Sequence, residues 1–395
     1  MTLSPKVLYI IKMLKSYGFA AFAVGGCVRD MMLGNSPKDW DLTTSATPQQ
    51  VKKVFDGESV IETGLRHGTV TLVLDGENFE ITTFRSDGAY ENHRAPKKVR
   101  FSTNLEDDLS RRDFTINAMA YSRERGLVDL FDGQKHLREQ KIVCVGDSDV
   151  RFEEDGLRIL RALRFASVLG FDIDDDVAQS IYRKTALLSH ISKERITTEF
   201  SKLIVGKNAC AVLMRFSSVF EFIIPEISLE NVPAIAAAPA ELTTRMALLF
   251  CGDGGRSAQR ALQNLRFDNK TAEDIITLVT CCDTHVPKTA PGIKWLLCTL
   301  GHRNFVKYLD IQLCRKTLTR EQYNDSVRLA SIIIAEKQCY QLSELAVNGR
   351  DLLSLGVPNG KAVGDSLNLL LEEVINGRVE NDKQALLRYI KTHRV

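Results

Sequence analysis

Two glycines and two carboxylates, about a dozen residues apart, carry the first chemistry in this chain. Val24-Gly25-Gly26-Cys27-Val28-Arg29-Asp30 is followed by Asp39-Trp40-Asp41. Glycine lets a backbone come close to a polyphosphate, and the segment from Cys27 to Leu33 can present a helix N-terminus, whose free N–H groups and dipole favour anions. Asp39 and Asp41 stand two apart, so in an extended segment both carboxylates leave by one face. Side by side they repel unless a cation lies between them, and ligation by oxygen alone suits Mg²⁺. The combination predicts a nucleoside triphosphate site. Each piece alone has a plainer use, Gly-Gly as a turn and Asp-x-Asp after Ser36-Pro37-Lys38 as turn or capping chemistry, so it is their order and separation that argue for the site.

Positioning these groups calls for mixed secondary structure. Phe19 to Val24 reads as a strand, Thr47-Pro48 opens a short helix, and Thr69 to Leu74 pairs with Phe79 to Phe84 across a turn at Asp75-Gly76-Glu77-Asn78, a pattern that predicts a compact α+β domain. From about residue 135 strand signals fade and helical periodicity takes over, as at Asp155 to Leu169, Arg195 to Ile204 and Lys361 to Asn376. With 395 residues the chain exceeds the ~250–300 residues of one core, and prolines and glycines between Pro225 and Pro291 suggest further boundaries near 205 and 325. The expected segments are therefore 1–135, 136–205, 206–325 and 326–395.

Composition narrows the class of function. Hydrophobic residues at 44% and charged residues at 26% are those of a globular protein, and no apolar run approaches the ~20 residues that span a bilayer, so no membrane partner is expected. Ser4-Pro5 followed by Leu8, Ile11 and Leu14 reads as a capped helix rather than a signal peptide, which makes the expected location cytoplasmic. Nine cysteines without a Cys-x-x-Cys pair indicate neither a zinc site nor a disulfide framework. A net charge of +2 is no nucleic-acid signature, so RNA would be held by local patches. One candidate patch is His93, Arg94, Lys97, Lys98 and Arg100, another Arg303, Lys307, Arg315, Lys316 and Arg320; solvated faces are the competing explanation.

Two further motifs join the first. Arg111-Arg112-Asp113-Phe114-Thr115-Ile116-Asn117-Ala118-Met119-Ala120 is followed by Glu154-Asp155-Gly156-Leu157-Arg158-Ile159-Leu160-Arg161-Ala162-Leu163-Arg164-Phe165-Ala166. The stretch from Ile191 to Phe200 extends the match, and Leu345 to Leu352 continues it weakly. Together they resemble the class II tRNA nucleotidyltransferases, the CCA-adding enzymes of bacteria and eukaryotes, most specifically over residues 20 to 205. The resemblance implies a DNA polymerase β-type nucleotidyltransferase head with a small mixed sheet (1–135), then an all-α neck that recognises the base (136–205), a body (206–325) and a tail that binds the tRNA elbow (326–395). It also implies a single site that adds C, C and A to the tRNA 3′ end, from CTP and ATP, without a nucleic-acid template.

In that reaction a terminal hydroxyl attacks an α-phosphate and expels pyrophosphate, with two Mg²⁺ ions on Asp39 and Asp41 stabilising charge at both ends. Glu80, in Phe79-Glu80-Ile81, is the candidate third acidic ligand. Arg29 is placed to reach triphosphate oxygens, and Arg112, Asp113 and Asn117 to shape the sugar and base pocket, with Asn117 on the ribose. Asp155 and Arg158, taken as i and i+3 on one helix, set an acceptor beside a forked donor. That edge matches the amino and ring-nitrogen groups of cytosine and adenine and opposes those of uracil and guanine; an ordinary salt bridge is the alternative use of the pair. Arg161 and Arg164 complete the nucleotide-binding set, while Glu194, Arg195 and Glu199 brace the neck. Arg85 to Arg100 is polar and glycine-containing, as a mobile loop would be, and in the family a loop here is needed for the final A. Three rivals stay open: an enzyme adding only A to tRNA ending in CC, a bacterial poly(A) polymerase, and an RNA-binding protein with an inactive transferase head. None of the seven histidines precedes an aspartate, so the metal phosphohydrolase module of some relatives is not expected. No motif fixes the oligomeric state.

Overall fold

Alternating apolar residues and one parallel strand pairing build the sheet that carries the acids. The computed structural model describes residues 1–87, 90–91, 95–96, 99–252 and 254–393, with the backbone alone at 63, 66, 87, 90, 91, 95 and 96. The head begins with α1 (Pro5–Ser16), capped by the Ser4 hydroxyl, which accepts from the Val7 N–H at 3.2 Å. It continues with β1 (Ala21–Val24), α2 (Gly26–Met32), β2 (Asp41–Thr44), α3 (Pro48–Val54), β3 (Ser59–Gly64), β4 (Thr69–Leu74) and β5 (Glu77–Thr83). After a paired segment come α4 (Leu105–Ser110) and, once β6 to β9 are counted, β10 (Met119–Ser122) and β11 (Gly126–Asp129). Seven strands form one sheet in the order β11-β10-β1-β2-β5-β4-β3. Only β2 and β5 run parallel; every other neighbour is antiparallel.

Strand alternation gives this sheet one apolar and one polar face over β2, β4 and β5. Leu42, Val70, Leu72, Phe79 and Ile81 are buried, as are Val7, Ile10, Ile11 and Leu14 of α1. Asp41, Thr43, Glu80 and Thr82 point the other way by register. There α4 covers part of the face, with Leu105 and Leu109 in a cluster with Phe22, Val24, Phe84 and Ala120. The expected four-residue turn is tighter than the sequence suggested. Leu74 pairs directly with Glu77, leaving a two-residue hairpin loop in which Asp75 (φ 48°) and Gly76 (φ 77°) are both left-handed, the geometry that matches strand twist.

Within the segment expected as a loop, the described residues pair as short strands, and residues 88–89, 92–94 and 97–98 lie outside the described residues. β6 (Arg85–Asp87) pairs with β9 (Val99–Phe101), and β7 (Tyr90–Glu91) with β8 (Ala95–Pro96). Beyond β11 the chain turns helical: α5 (Gly133–Arg138), α6 (Ser148–Glu154), α7 (Leu157–Leu169), α8 (Asp175–Lys184) and α9 (Lys193–Ile204), with α7 packed on α9. The helix expected from Asp155 starts only at Leu157. Asp155 itself is extended (φ −142°, ψ 104°) and caps α6, so the chain breaks between α6 and α7.

The chain divides into two compact units, Met1–Pro225 and Glu226–Val395. Among the described residues the second unit is helical throughout. Its longest helix, Ala290–Cys314, carries the exposed Trp295 and is interrupted at Gly301 (φ 69°). Near the C-terminus, Leu352, Leu370, Leu371, Ile375, Leu386 and Ile390 share a core. All nine cysteines are free thiols. Among the described residues no helix is long and apolar enough to cross a membrane.

Candidate active site

Register brings the acids together. Asp41 opens β2 and its partner on parallel β5 is Glu80, so the two carboxylates leave the same face of strands about 4.8 Å apart. Asp39 lies two residues upstream, exposed, with the half-buried Trp40 between them. Partial desolvation raises the pKa of the solvent-accessible Asp41; the Arg112 guanidinium opposes that rise, and Glu80 and then Asp39 add to it by repulsion. Among the described residues no three His, Cys, Asp or Glu side chains are gathered as a ready-made metal cage. A donor set of mutually repelling carboxylates, open on one side, fits a hard cation that keeps waters and shares phosphate oxygens.

Gly25 closes one wall of this site. Its N–H donates to the Met119 carbonyl at 3.2 Å, and its φ of 78° with ψ of −131° is a conformation for glycine. An added Cβ would stand 3.0 Å from Arg112 Nη1 and 3.9 Å from Asp41 Oδ2. Cys27, inside the same motif, is no nucleophile: burial pushes its thiol to about 11, and Sγ donates to the Val24 carbonyl at 3.3 Å. Arg29 donates to Asp30 Oδ1 from Nε (3.0 Å) and Nη2 (2.8 Å), and from Nη1 to Asn117 Oδ1 at 2.7 Å.

Asp108, on α4, has no exposed surface. Its Oδ1 accepts from Arg111 Nε at 3.0 Å and Nη2 at 2.6 Å, and its Oδ2 from Arg112 Nη2 at 3.1 Å. The Thr43 hydroxyl is 3.1 Å from the same Oδ2 and 3.2 Å from the Thr82 carbonyl. Burial works against ionisation here, but Arg112 and Arg111 outweigh it and hold the carboxyl below the ordinary range.

Arginines of α7 extend the site with a chain of charge-assisted contacts. Asp113 Oδ1 accepts from the Phe114 N–H (2.8 Å) and Asn117 Nδ2 (3.2 Å), and Oδ2 from Arg161 Nε at 2.7 Å. Burial would raise the Asp113 pKa, yet Arg161 above all brings it to about 2. Glu199, buried on α9, pairs with Arg164 and reaches Arg161 Nη1 at 3.9 Å. Three guanidiniums gather on one ring: Arg164, Arg29 and Arg161 lie 4.0, 5.2 and 5.4 Å from the centroid of Phe165, a cation–π arrangement. Arg158, almost wholly buried, donates to Glu154, to the Arg151 carbonyl at 3.1 Å and to the Arg111 carbonyl at 2.8 Å. Asp155 turns to Arg195, accepting from its Nη2 at 2.8 Å.

Residues 21–143 match the family model described as poly A polymerase head domain, and residues 241–390 that of tRNA nucleotidyltransferase domain 2. The chain is 35% identical to the CCA-adding enzyme of Geobacillus thermodenitrificans over 98% of its own length and 96% of that protein's. It is 34% identical to that of Lactobacillus helveticus with the same coverage. The chain belongs to the CCA-adding enzyme family. Its fold superposes on the crystal structure of the Bacillus stearothermophilus CCA-adding enzyme in complex with CTP with a TM-score of 0.85, at 31% identity, covering 99% of this chain and 98% of that one. The Thermotoga maritima CCA-adding enzyme complexed with tRNA shares the fold, with a TM-score of 0.68 at 18% identity and coverage of 99% and 96%. CCA-adding enzymes are nucleotidyltransferases, which generally use a divalent metal.

Several expectations for a CCA-adding enzyme are corrected by the geometry. Asp155 and Arg158 are not i and i+3 on one helix, because the chain breaks at Asp155; Arg158 donates to Glu154 and Asp155 accepts from Arg195. Lys307 does not face RNA: it is buried, donating to Glu241 at 3.0 Å and Thr243 at 2.6 Å. Arg315 is tied to the Cys282 carbonyl (2.6 Å) and Asp283 (3.1 Å), whereas Arg303 and Lys316 are exposed. His93, Arg94, Lys97 and Lys98 lie outside the described residues. The sequence reading missed Asp108, Glu154 and Phe165 as organisers. Asp108 with Arg111 and Arg112, and Glu154 with Arg158, carry i,i+3 and i,i+4 spacings that would have flagged them.

Proposed function

We propose that this chain adds C, C and A to the 3′ end of tRNA from CTP and ATP, selecting both bases with protein side chains. The observation that carries the reading is the in-register pairing of Asp41 with Glu80 beside Asp39, under Gly25 and Arg112, in a chain akin along its whole length to CCA-adding enzymes. Asp39 and Asp41, with Glu80, would hold Mg²⁺. When bound, such a metal neutralises charge on the attacking and leaving oxygens. The Gly25 turn lets the triphosphate approach the backbone, and Arg29 and Arg112 offer guanidinium donors to its oxygens. Asn117 and Asp113 line the sugar side, with Arg161 and Arg164 behind them.

Base selection in this reading requires a change of partners. Arg158 releases Glu154 and Asp155 releases Arg195, and the freed groups then face the amino and ring-nitrogen edge shared by cytosine and adenine. Divided into head, neck, body and tail at about 135, 205 and 325, the chain would use Arg94, Lys97 and Lys98 in the head, and Arg303 and Lys316 in the body, against tRNA phosphates. The cytoplasm is the proposed location.

Transcripts of tRNA ending at the discriminator base, at C and at CC, incubated with Mg²⁺ and labelled CTP or ATP, test the reading. The expected products stop at CCA. Incorporation of A alone would make the chain an A-adding enzyme, long A tracts on unrelated RNA a poly(A) polymerase, and RNA binding without incorporation an inactive head.

A further inference from the structure

We infer that Asp108 is a positioning residue for nucleotidyl transfer, fixing Arg112 against Asp41 and Gly25 and, through the Arg111 carbonyl, seating Arg158. The inference rests on the function proposed above. Asp108 has no exposed surface and meets the acid-bearing face of β2 at Thr43, so it acts through others rather than on substrate. Thr43, whose hydroxyl reaches Asp108 Oδ2, stands two residues beyond Asp41 on the same face of β2. One carboxylate therefore ties the strand that bears Asp41 to two successive arginines.

The two arginines lead to different ends of the site. Arg112 carries its second nitrogen, Nη1, into the gap where Gly25 has no side chain, 3.0 Å from where a Cβ would stand, and its charge is felt at Asp41. A long, flexible side chain held at one end by a buried carboxylate and bounded by backbone has few places to go. Arg111 leaves its carbonyl facing α7, where it accepts from Arg158 Nη2 at 2.8 Å. Two guanidiniums on one carboxylate leave the trio a net positive charge, and Arg112 brings it to Gly25 and Asp41. The position of the phosphate donor and the seat of the base-reading arginine thus share one anchor.

A double-mutant cycle on the full-length protein tests this. Single-turnover CTP addition to tRNA ending at the discriminator base, and ATP addition to tRNA ending in CC, are measured for wild type, Asp108→Asn, Arg112→Gln and the double variant. Circular dichroism melts and tRNA affinity are followed alongside. Asp108→Asn is expected to lower kcat/KM for both nucleotides by about 10- to 100-fold, since a displacement of an ångström suffices for such a loss. Affinity for tRNA should stay within about two-fold, and the preference for CTP over UTP should fall several-fold, a change that a loss of folded protein alone does not produce. In the Arg112→Gln background the same replacement should cost less than about three-fold more. Fully additive losses, or a wild-type rate and wild-type CTP preference in Asp108→Asn, would overturn the inference. Should Asp108→Asn not fold, Thr43→Val removes only the strand contact; a fall of about three- to ten-fold is expected there, and no fall counts against the anchor. Wild type that adds neither nucleotide would instead refute the proposed function.

Discussion

Asp113 shows how a single buried carboxylate links stability to chemistry. Its pKa is about 2 folded and near 3.8 as a free side chain, so its contribution of about 2 kcal/mol is fully present above pH 4 and disappears as pH falls towards 2. Urea unfolding at successive pH values should therefore show the gap between wild type and Asp113→Asn closing over that window. At the acids, Asp41→Asn removes the charge that a cation needs, and incorporation of both CTP and ATP should fall by at least about 1000-fold with tRNA binding intact. Residue type made Asp39, Asp41, Gly25 and Gly26 legible, because their chemistry is local. Asp108 and Phe165 were not legible in the same way. What makes them matter is burial and the convergence of arginines from α2, α7 and the segment after α4; helical spacing flags Asp108 with Arg111 and Arg112 but says nothing of that burial.

At the scale of elements, the parallel pairing of β2 with β5 is what turns two distant acids into neighbours. Sequence pattern makes β5 a strand and Asp39 to Asp41 only an extended segment, so the register alone places Glu80 opposite Asp41. Gly25 is the joint between β1 and α2. Gly25→Ala places a side chain in a glycine-only conformation and against Arg112, at a cost of about 1–3 kcal/mol; the expected result is a lower melting temperature together with loss of nucleotide incorporation, measured on the same preparation. The break between α6 and α7 was hidden from the sequence because Asp155 to Leu169 has helical periodicity throughout. Gly156 lies where an added Cβ would meet Leu187 at 3.1 Å, and the extended Asp155 before it is free to choose Arg195 over its own helix. Glu154→Gln weakens the hold on Arg158, so UTP misincorporation should change in a primer-extension assay while overall folding is kept.

For the whole molecule, two units with different work are apparent. The first holds the acid site; the second, helical among its described residues, buries Lys307, which charge patterning alone assigns to RNA, against the half-buried Glu241. Charge runs record how many cations a segment has and nothing about which way they point, which is why Arg303 and Lys316 are exposed while Lys307 is enclosed. Lys307→Met should then lower stability, leaving the salt dependence of tRNA affinity unchanged, whereas Arg303→Ala with Lys316→Ala should flatten it, since each lost phosphate contact reduces the slope. Filter binding across a salt series distinguishes the two. The distribution of tryptophan has a practical meaning at this scale. The chain has two: Trp40, between Asp39 and Asp41 in sequence, belongs to the first unit, and Trp295 to the second. Each half of the protein thus contains one indole, and with excitation at the red edge of absorption, where tyrosine does not absorb, replacing either indole with phenylalanine leaves an emission signal that follows the other half alone, through ligand titrations or denaturation, with no dye attached.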